Sequence, residues 1–97
     1  MRIIARKTLQ SFWAKYTDSE QPLKAWFEIV KASTWNQPND IKEIFRSADI
    51  IPNNRVIFNI KGNKYRLIVG IKYEFKIVYI RFIGTHEEYN KVNAISI

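Results

Sequence analysis

An α+β fold is predicted for this chain: an N-terminal strand, a helical hairpin packed on one face of a mainly antiparallel sheet, and a short C-terminal helix. Three observations predict it. Apolar residues recur at i, i+3, i+4, i+7 in Leu9, Phe12, Trp13, Tyr16 and again in Leu23, Trp26, Phe27, Val30, the period of a helix with one buried face. From Arg55 onward the period shortens to two, with apolar residues alternating with Arg, Lys and Asn, as in strands whose faces differ. Finally, Thr85-His86-Glu87-Glu88 has the form of a capping box, so a helix restarts where the last strand ends.

Taken in order, Arg2-Ile3-Ile4-Ala5 reads as a strand. Thr8 is a candidate cap for the first helix, and Asp18 or Ser19 restarts the chain, with Pro22 in the first turn of the second helix, where a missing N–H is harmless. Asn36-Gln37-Pro38-Asn39-Asp40 breaks the pattern, and Ile41, Ile44 and Phe45 suggest a short third helical turn. Arg55 to Ile60 and Lys64 to Lys72 read as strands joined at Gly62-Asn63, a favourable two-residue hairpin loop. That loop sets Asn59 opposite Arg66 and Phe58 opposite Leu67. Val56, Phe58, Ile60, Tyr65, Leu67, Val69 and Ile71 then share one face, and Asn59, Lys61, Lys64 and Arg66 the other, with Ile57 and Ile68 among them. A third strand, about Lys76 to Ile83, follows a loop at Glu74-Phe75. In that register Ile68 faces Arg81, Val78, Ile80 and Phe82 join the apolar face, and Tyr79 and Arg81 join the cationic one. The helical hairpin covers the apolar face, and the basic face is expected to stay open.

With 97 residues the chain is read as one domain, 1–97, and its apolar content of 46% suits a packed core. It has no cysteine, so disulfides and thiolate metal sites are excluded, in keeping with a reducing cytoplasm. No apolar run approaches the ~20 residues of a membrane span, and the N-terminus reads as a strand, not a signal peptide. The net charge of +7 is unevenly spread. Residues 55–85 hold Arg55, Lys61, Lys64, Arg66, Lys72, Lys76 and Arg81 against Glu74 alone, whereas the residues before them are nearly balanced. Such a distribution points to an anionic partner.

The chemistry is expected at the end of the last strand. With Thr85 as cap, His86 takes the first helical position, where N–H groups can hold an anion. Tyr89 and Lys91 follow one turn on. An imidazole and a phenol beside Arg66 and Arg81 suit the cleavage of a phosphodiester. RNA carries its own nucleophile, the 2′-hydroxyl, and nothing in the spacing of the one His and nine carboxylates resembles a metal site. Metal-independent, cofactor-free transesterification to a 2′,3′-cyclic phosphate is therefore expected. Arg66 takes the transition-state charge, helped by Arg81 and by Lys61 or Lys64. His86 serves as base or acid, with Tyr89 or Lys91 as its complement. Asn59, Lys61, Lys64, Tyr79 and Arg81 are the candidate RNA-binding residues.

The string Val56-Ile57-Phe58-Asn59-Ile60-Lys61-Gly62-Asn63-Lys64-Tyr65-Arg66-Leu67, followed by Tyr79-Ile80-Arg81-Phe82-Ile83-Gly84-Thr85-His86-Glu87-Glu88-Tyr89, is similar to HigB-type toxins, and the order of elements resembles the RelE/ParE toxin superfamily. The resemblance covers nearly the whole chain, is specific in these two strings and is diffuse in the helices. It implies a RelE-like fold and the toxin half of a type II toxin–antitoxin pair, cleaving mRNA on the translating ribosome and neutralised by a HigA-type antitoxin. By that resemblance Arg66 matches the strand arginine directed at the scissile phosphate. His86 falls where relatives keep a basic or imidazole side chain, and Tyr89 and Lys91 lie where a phenol or another acid–base group is often found. Lys61 and Lys64 match phosphate-contacting lysines by rough position. Two other readings carry the same basic face. One is a non-catalytic nucleic-acid-binding module, which offers only Tyr79, with Tyr73, for base stacking. The other is a protein-targeting toxin of the gyrase-poisoning type, which has no need of His86.

Overall fold

The computed structural model describes residues 1–97. Five strands form one sheet in the order β1-β5-β4-β3-β2, built from β1 Arg2–Ile4, β2 Asp49–Ile51, β3 Arg55–Ile60, β4 Tyr65–Lys72 and β5 Ile77–Thr85. All neighbours are antiparallel except β1, which runs parallel to β5. The helices are α1 Arg6–Lys15, α2 Glu20–Ala32, α3 Pro38–Ile44 and α4 His86–Tyr89. The architecture is the predicted α+β arrangement, with α1, α2 and α3 on one face of the sheet and the short α4 at its end.

Both helical stripes pack where their period places them. Leu9, Leu23, Trp26 and Val30 are buried together with Val56, Phe58, Ile60, Tyr65, Leu67, Val69, Ile71 and Val78 of the sheet. Phe58 is the hub of an aromatic cluster: Trp26 meets it edge-on at 5.4 Å, Phe45 at 5.0 Å, and Trp35 stacks on it at 6.5 Å. Burying side chains of this size is worth about 1.5–3 kcal/mol each, and this cluster joins α2, α3 and the centre of the sheet.

Several local expectations are corrected. Helix α1 starts at Arg6, with Ala5 in the capping position, so Thr8 lies inside the helix and caps nothing. The two helices are joined by a 3-10 turn, Thr17–Ser19, in which the Ser19 hydroxyl donates to the Tyr16 carbonyl at 2.6 Å. The break after α2 is shorter than expected, because Pro38 opens α3 and Asp40 accepts from the Asn36 N–H at 2.9 Å. β2 was not foreseen: three residues are too few to show alternation, and its pairing with β3 is what makes it a strand. The hairpin register is as predicted, Asn59 to Arg66 and Phe58 to Leu67.

The β4–β5 register differs from the expected one. Ile68 faces Phe82, Val69 faces Ile80, and Arg81 is the extra residue between them. This β-bulge moves Ile83 onto the core face and Phe82 onto the other. The sheet surface away from the helices therefore has three rungs across β3, β4 and β5: Arg55, Gly70 and Tyr79; Ile57, Ile68 and Phe82; Asn59, Arg66 and Gly84.

This far face is not left open. Ile57 and Ile68 are 4% and 0% exposed although neither points toward the helices. α4 and the segment after it lie on this side, the segment tied down where Asn53 Nδ2 donates to the Ile95 carbonyl at 2.9 Å and Arg55 Nε and Nη2 donate to the Ile97 oxygen at 3.1 and 2.7 Å. The apolar middle rung is the physical reason: two isoleucines in a cationic surface are stabilised by whatever apolar chain lies over them.

Candidate active site

Sheet register and one short helix assemble the site. Strand pairing sets Asn59, Arg66 and Gly84 side by side on the far face. Gly84 is followed by Thr85, whose Oγ1 accepts from the Glu88 N–H at 3.2 Å while Glu88 Oε1 accepts from the Thr85 N–H at 2.8 Å. This is the predicted capping box, and it fixes the direction in which α4 leaves the sheet. The Thr85 N–H holds the Glu88 carboxyl below the ordinary carboxylate range, so Glu88 is a structural acceptor. The need for Gly84 is space: a Cβ there would lie 2.5 Å from Phe82 Cζ and 3.1 Å from Glu88 Oε1.

Turned back in this way, α4 brings Tyr89 under Arg66. The Arg66 Cζ sits 4.8 Å from the centre of the Tyr89 ring, a cation–π contact. The His86 ring is 6.3 Å from the Tyr89 ring at an angle of 60°. Guanidinium, phenol and imidazole thus stand in a row at the end of the sheet. Arg66 Nε and its cross-strand neighbour Asn59 Oδ1 are buried and unpartnered, while Asn59 Nδ2 reaches the Ser47 carbonyl at 3.4 Å. A buried donor without an acceptor is costly, and the same end of the sheet carries it beside the unpartnered Asn59 Oδ1.

The other predicted residues lie elsewhere. The Lys64 ammonium is drawn toward the helices, where it pairs with Asp18, whose other carboxylate oxygen accepts from the Tyr65 hydroxyl. Those two donors hold the Asp18 carboxyl below its usual range, and Asp18 raises Lys64 in turn. Lys61 is exposed at the hairpin tip in a left-handed conformation, φ 53°. Lys91 is exposed, and its N–H donates to the Glu88 carbonyl at 3.1 Å; no contact joins its side chain to Arg66. Arg81 and Tyr79 pack on each other, with Cζ 5.4 Å from the ring, at the opposite end of the face. Gly70 lies four residues along β4 from Arg66, a span of about 13 Å. Arg66 and Arg81 are therefore on one side of the sheet but not at one spot.

Arg55 was missed as a site residue. It stands beside Arg81, and burial together with that neighbouring charge holds its guanidinium below the ordinary arginine value. The alternation that put Asn59 on the far face puts Arg55 there too, so the signal was available.

A family model described as HigB toxin, RelE-like toxic component of a toxin–antitoxin system, matches residues 19–92. The chain is 28% identical over 97 residues to the mRNA interferase toxin HigB of Escherichia coli (strain K12), covering 98% of this chain and 93% of that protein. The same identity and coverage hold for the mRNA interferase HigB of Shigella flexneri. The mRNA interferase HigB of Escherichia coli O6:H1 is 23% identical over 94 residues, 95% of this chain and 91% of that one. The matched span contains Arg66, His86 and Tyr89.

Proposed function

We infer the reaction from one premise: this chain belongs to the HigB toxin family, the RelE-like toxic component of toxin–antitoxin systems. It is an mRNA interferase, an endoribonuclease, as its relatives are named, and an antitoxin is its partner. The row of Arg66, Tyr89 and His86 carries the finer reading of how it cuts.

The 2′-hydroxyl of the nucleotide before the cut attacks phosphorus, the bond from phosphorus to the 5′-oxygen breaks, and the products are a 2′,3′-cyclic phosphate and a free 5′-hydroxyl. Arg66 holds the non-bridging oxygens and takes up the charge that grows on them. His86 removes the proton of the attacking hydroxyl, since an imidazole can accept one near neutral pH. Tyr89 gives its phenolic proton to the departing 5′-oxygen. Asn59 supports Arg66 from the next strand. Lys61 stands where it can reach RNA backbone approaching the hairpin tip, and Lys91 adds positive field at a distance, while Asp18 offsets the charge of Lys64. No carboxylate belongs to this set, and the reaction as written needs no metal.

Three groups make a sparse catalyst, and a flexible single strand must be held in line before they can act. We propose that the translating ribosome supplies this alignment and the entropy it saves, which places the protein in the cytoplasm. No helix is long and apolar enough to cross a membrane.

Purified protein added to an in-vitro translation reaction, with mRNA 5′ ends mapped, tests the reading. Cuts confined to translated regions are expected, with Arg66→Ala and His86→Ala each slowing cleavage by about 10²-fold or more while both remain bound to RNA or ribosomes. Intact message at high protein concentration, or a His86→Ala protein as active as wild type, would overturn it.

A further inference from the structure

At the opposite end of the far face, the first rung repeats the pattern of the third: an arginine beside a glycine. A Cβ on Gly70 would lie 2.8 Å from Arg55 Nη1 and 3.3 Å from Arg81 Nε. Both atoms belong to the ends of flexible side chains, so the missing Cβ serves no packing of the fold. It lets two guanidinium groups lie against the same point of the backbone.

No Asp or Glu side chain pairs with either. The ion pairs of the molecule are Lys24 with Glu20 and Lys64 with Asp18, both remote from this rung. Arg81 makes no hydrogen bond within the chain and only leans on Tyr79. Two guanidinium groups gathered at one place repel each other, and an anion shared between them relieves that repulsion. The seat for its oxygen is already in use. Arg55 holds the Ile97 main-chain oxygen through both Nε and Nη2, so the edge of the guanidinium that can grip phosphate is already turned to an oxygen. Around it lies a recess of about 160 Å³, lined also by Asn53 and Lys72, several times the ~30 Å³ share of one water molecule.

We propose that Arg55 and Arg81, flanking Gly70, form a second phosphate site that binds a non-scissile phosphate of the same RNA strand whose scissile phosphate lies at Arg66. This rests on the nuclease reading above. The strand would run along β4 over the span of about 13 Å between Arg66 and Gly70, a distance that a few nucleotides cover. Phosphate at this end takes the place that the Ile97 oxygen holds at Arg55, while Arg81 contributes donors that are free from the start.

The test measures binding of single-stranded RNA fully substituted with 2′-O-methyl groups, which blocks the nucleophile and separates binding from cleavage. An octanucleotide spans both ends of the face, whereas a dinucleotide reaches only one. Arg81→Ala is expected to weaken the octanucleotide about tenfold and to lower the slope of log affinity against log salt by about 0.7. The dinucleotide should bind it as it binds wild type. Gly70→Ala, which changes no charge but displaces Arg55, should weaken the octanucleotide in the same direction. Arg81→Lys should keep the salt slope and recover part of the affinity. An Arg81→Ala protein with wild-type affinity and slope for the octanucleotide overturns the second site, and slowed cleavage of translated message by Arg66→Ala leaves the nuclease reading standing. Wild-type protein that neither binds the octanucleotide nor cuts translated message removes both together.

Discussion

The proposed mechanism gives Tyr89 two roles, and single atoms separate them. Its ring lies under the Arg66 guanidinium at 4.8 Å, and its hydroxyl is assigned the proton for the leaving oxygen. Tyr89→Phe keeps the ring and removes the proton. Cleavage is expected to fall by about 10²–10⁴-fold while affinity for 2′-O-methyl RNA stays within a few-fold of wild type. Tyr89→Ala also releases Arg66 from its platform, so affinity should fall as well. Single-turnover cleavage and anisotropy binding distinguish the two; equal cleavage by wild type and Tyr89→Phe would remove the phenol from the mechanism. Arg66→Lys belongs to the same comparison. An ammonium cannot reproduce the planar fork, so the conservative variant should behave like the alanine one. At this scale the sequence was informative wherever alternation alone decided the matter. Arg66 and Asn59 were placed on the far face by counting residues from Gly62-Asn63, and the same count carried on to Arg55 reaches that face too. Lys64 was not, because its partner Asp18 is 46 positions away and a turn residue is free to swing to either side.

Two elements hold the site in place, and each carries a measurable consequence. α4 is only four residues long, too short to persist without its cap. Thr85→Ala should cost about 0.5–2 kcal/mol and loosen His86 and Tyr89 together. Turnover should drop with little change in global unfolding, and Thr85→Ser should restore it. The hairpin of β3 and β4 is pinned to the Thr17–Ser19 turn by Asp18 with Lys64 and Tyr65. The Asp18 carboxyl is depressed in the folded state, so its contribution is complete above the ordinary carboxylate range, about pH 4, and is lost as the pH falls through the lower folded value. Lys64 and Tyr65 are raised; their contribution is complete below about pH 10 and is lost as the pH climbs through the higher folded values. Melting temperatures of wild type and Asp18→Asn should therefore differ between these limits and converge in acid. Parallel curves down to pH 2 would show the contact to be idle. Elements were legible where a period ran long enough to be counted, as in α1, α2, β3 and β4. β2 has no such run. The bulge was hidden for another reason: Ile80, Phe82 and Ile83 are all apolar, so the pattern of β5 fits two registers, and only packing against Ile68 and Val69 chooses the one that expels Arg81.

Across the whole molecule, the sheet is covered on both sides, which alternation could not reveal. Alternation divides the residues between two faces but says nothing about what lies over the second. The isoleucines at 57 and 68 looked like exceptions within a solvated basic surface, yet they form the floor on which the C-terminal segment rests. The consequence is a stability measurement that opposes the simple two-faced picture. Were the far face bare, Ile68→Ala would resemble a surface change, within about 0.5 kcal/mol of wild type. Because Ile68 is as inaccessible as Leu67 on the core face, its truncation should cost about 2–5 kcal/mol, comparable to Leu67→Ala, by urea unfolding. Domains of this size have only about 5–15 kcal/mol in total, so Ile68→Val serves as the gentler companion, with an expected loss of about 0.5–1.5 kcal/mol. In the proposed complex the apolar rung separates the two cationic ends, so that an RNA strand lying along β4 would meet an arginine at each end and a covered hydrophobic stretch between them. A near-zero cost for both Ile68 variants would mean that the C-terminal segment does not rest on the sheet, and Arg55 would then face solvent with nothing in its fork.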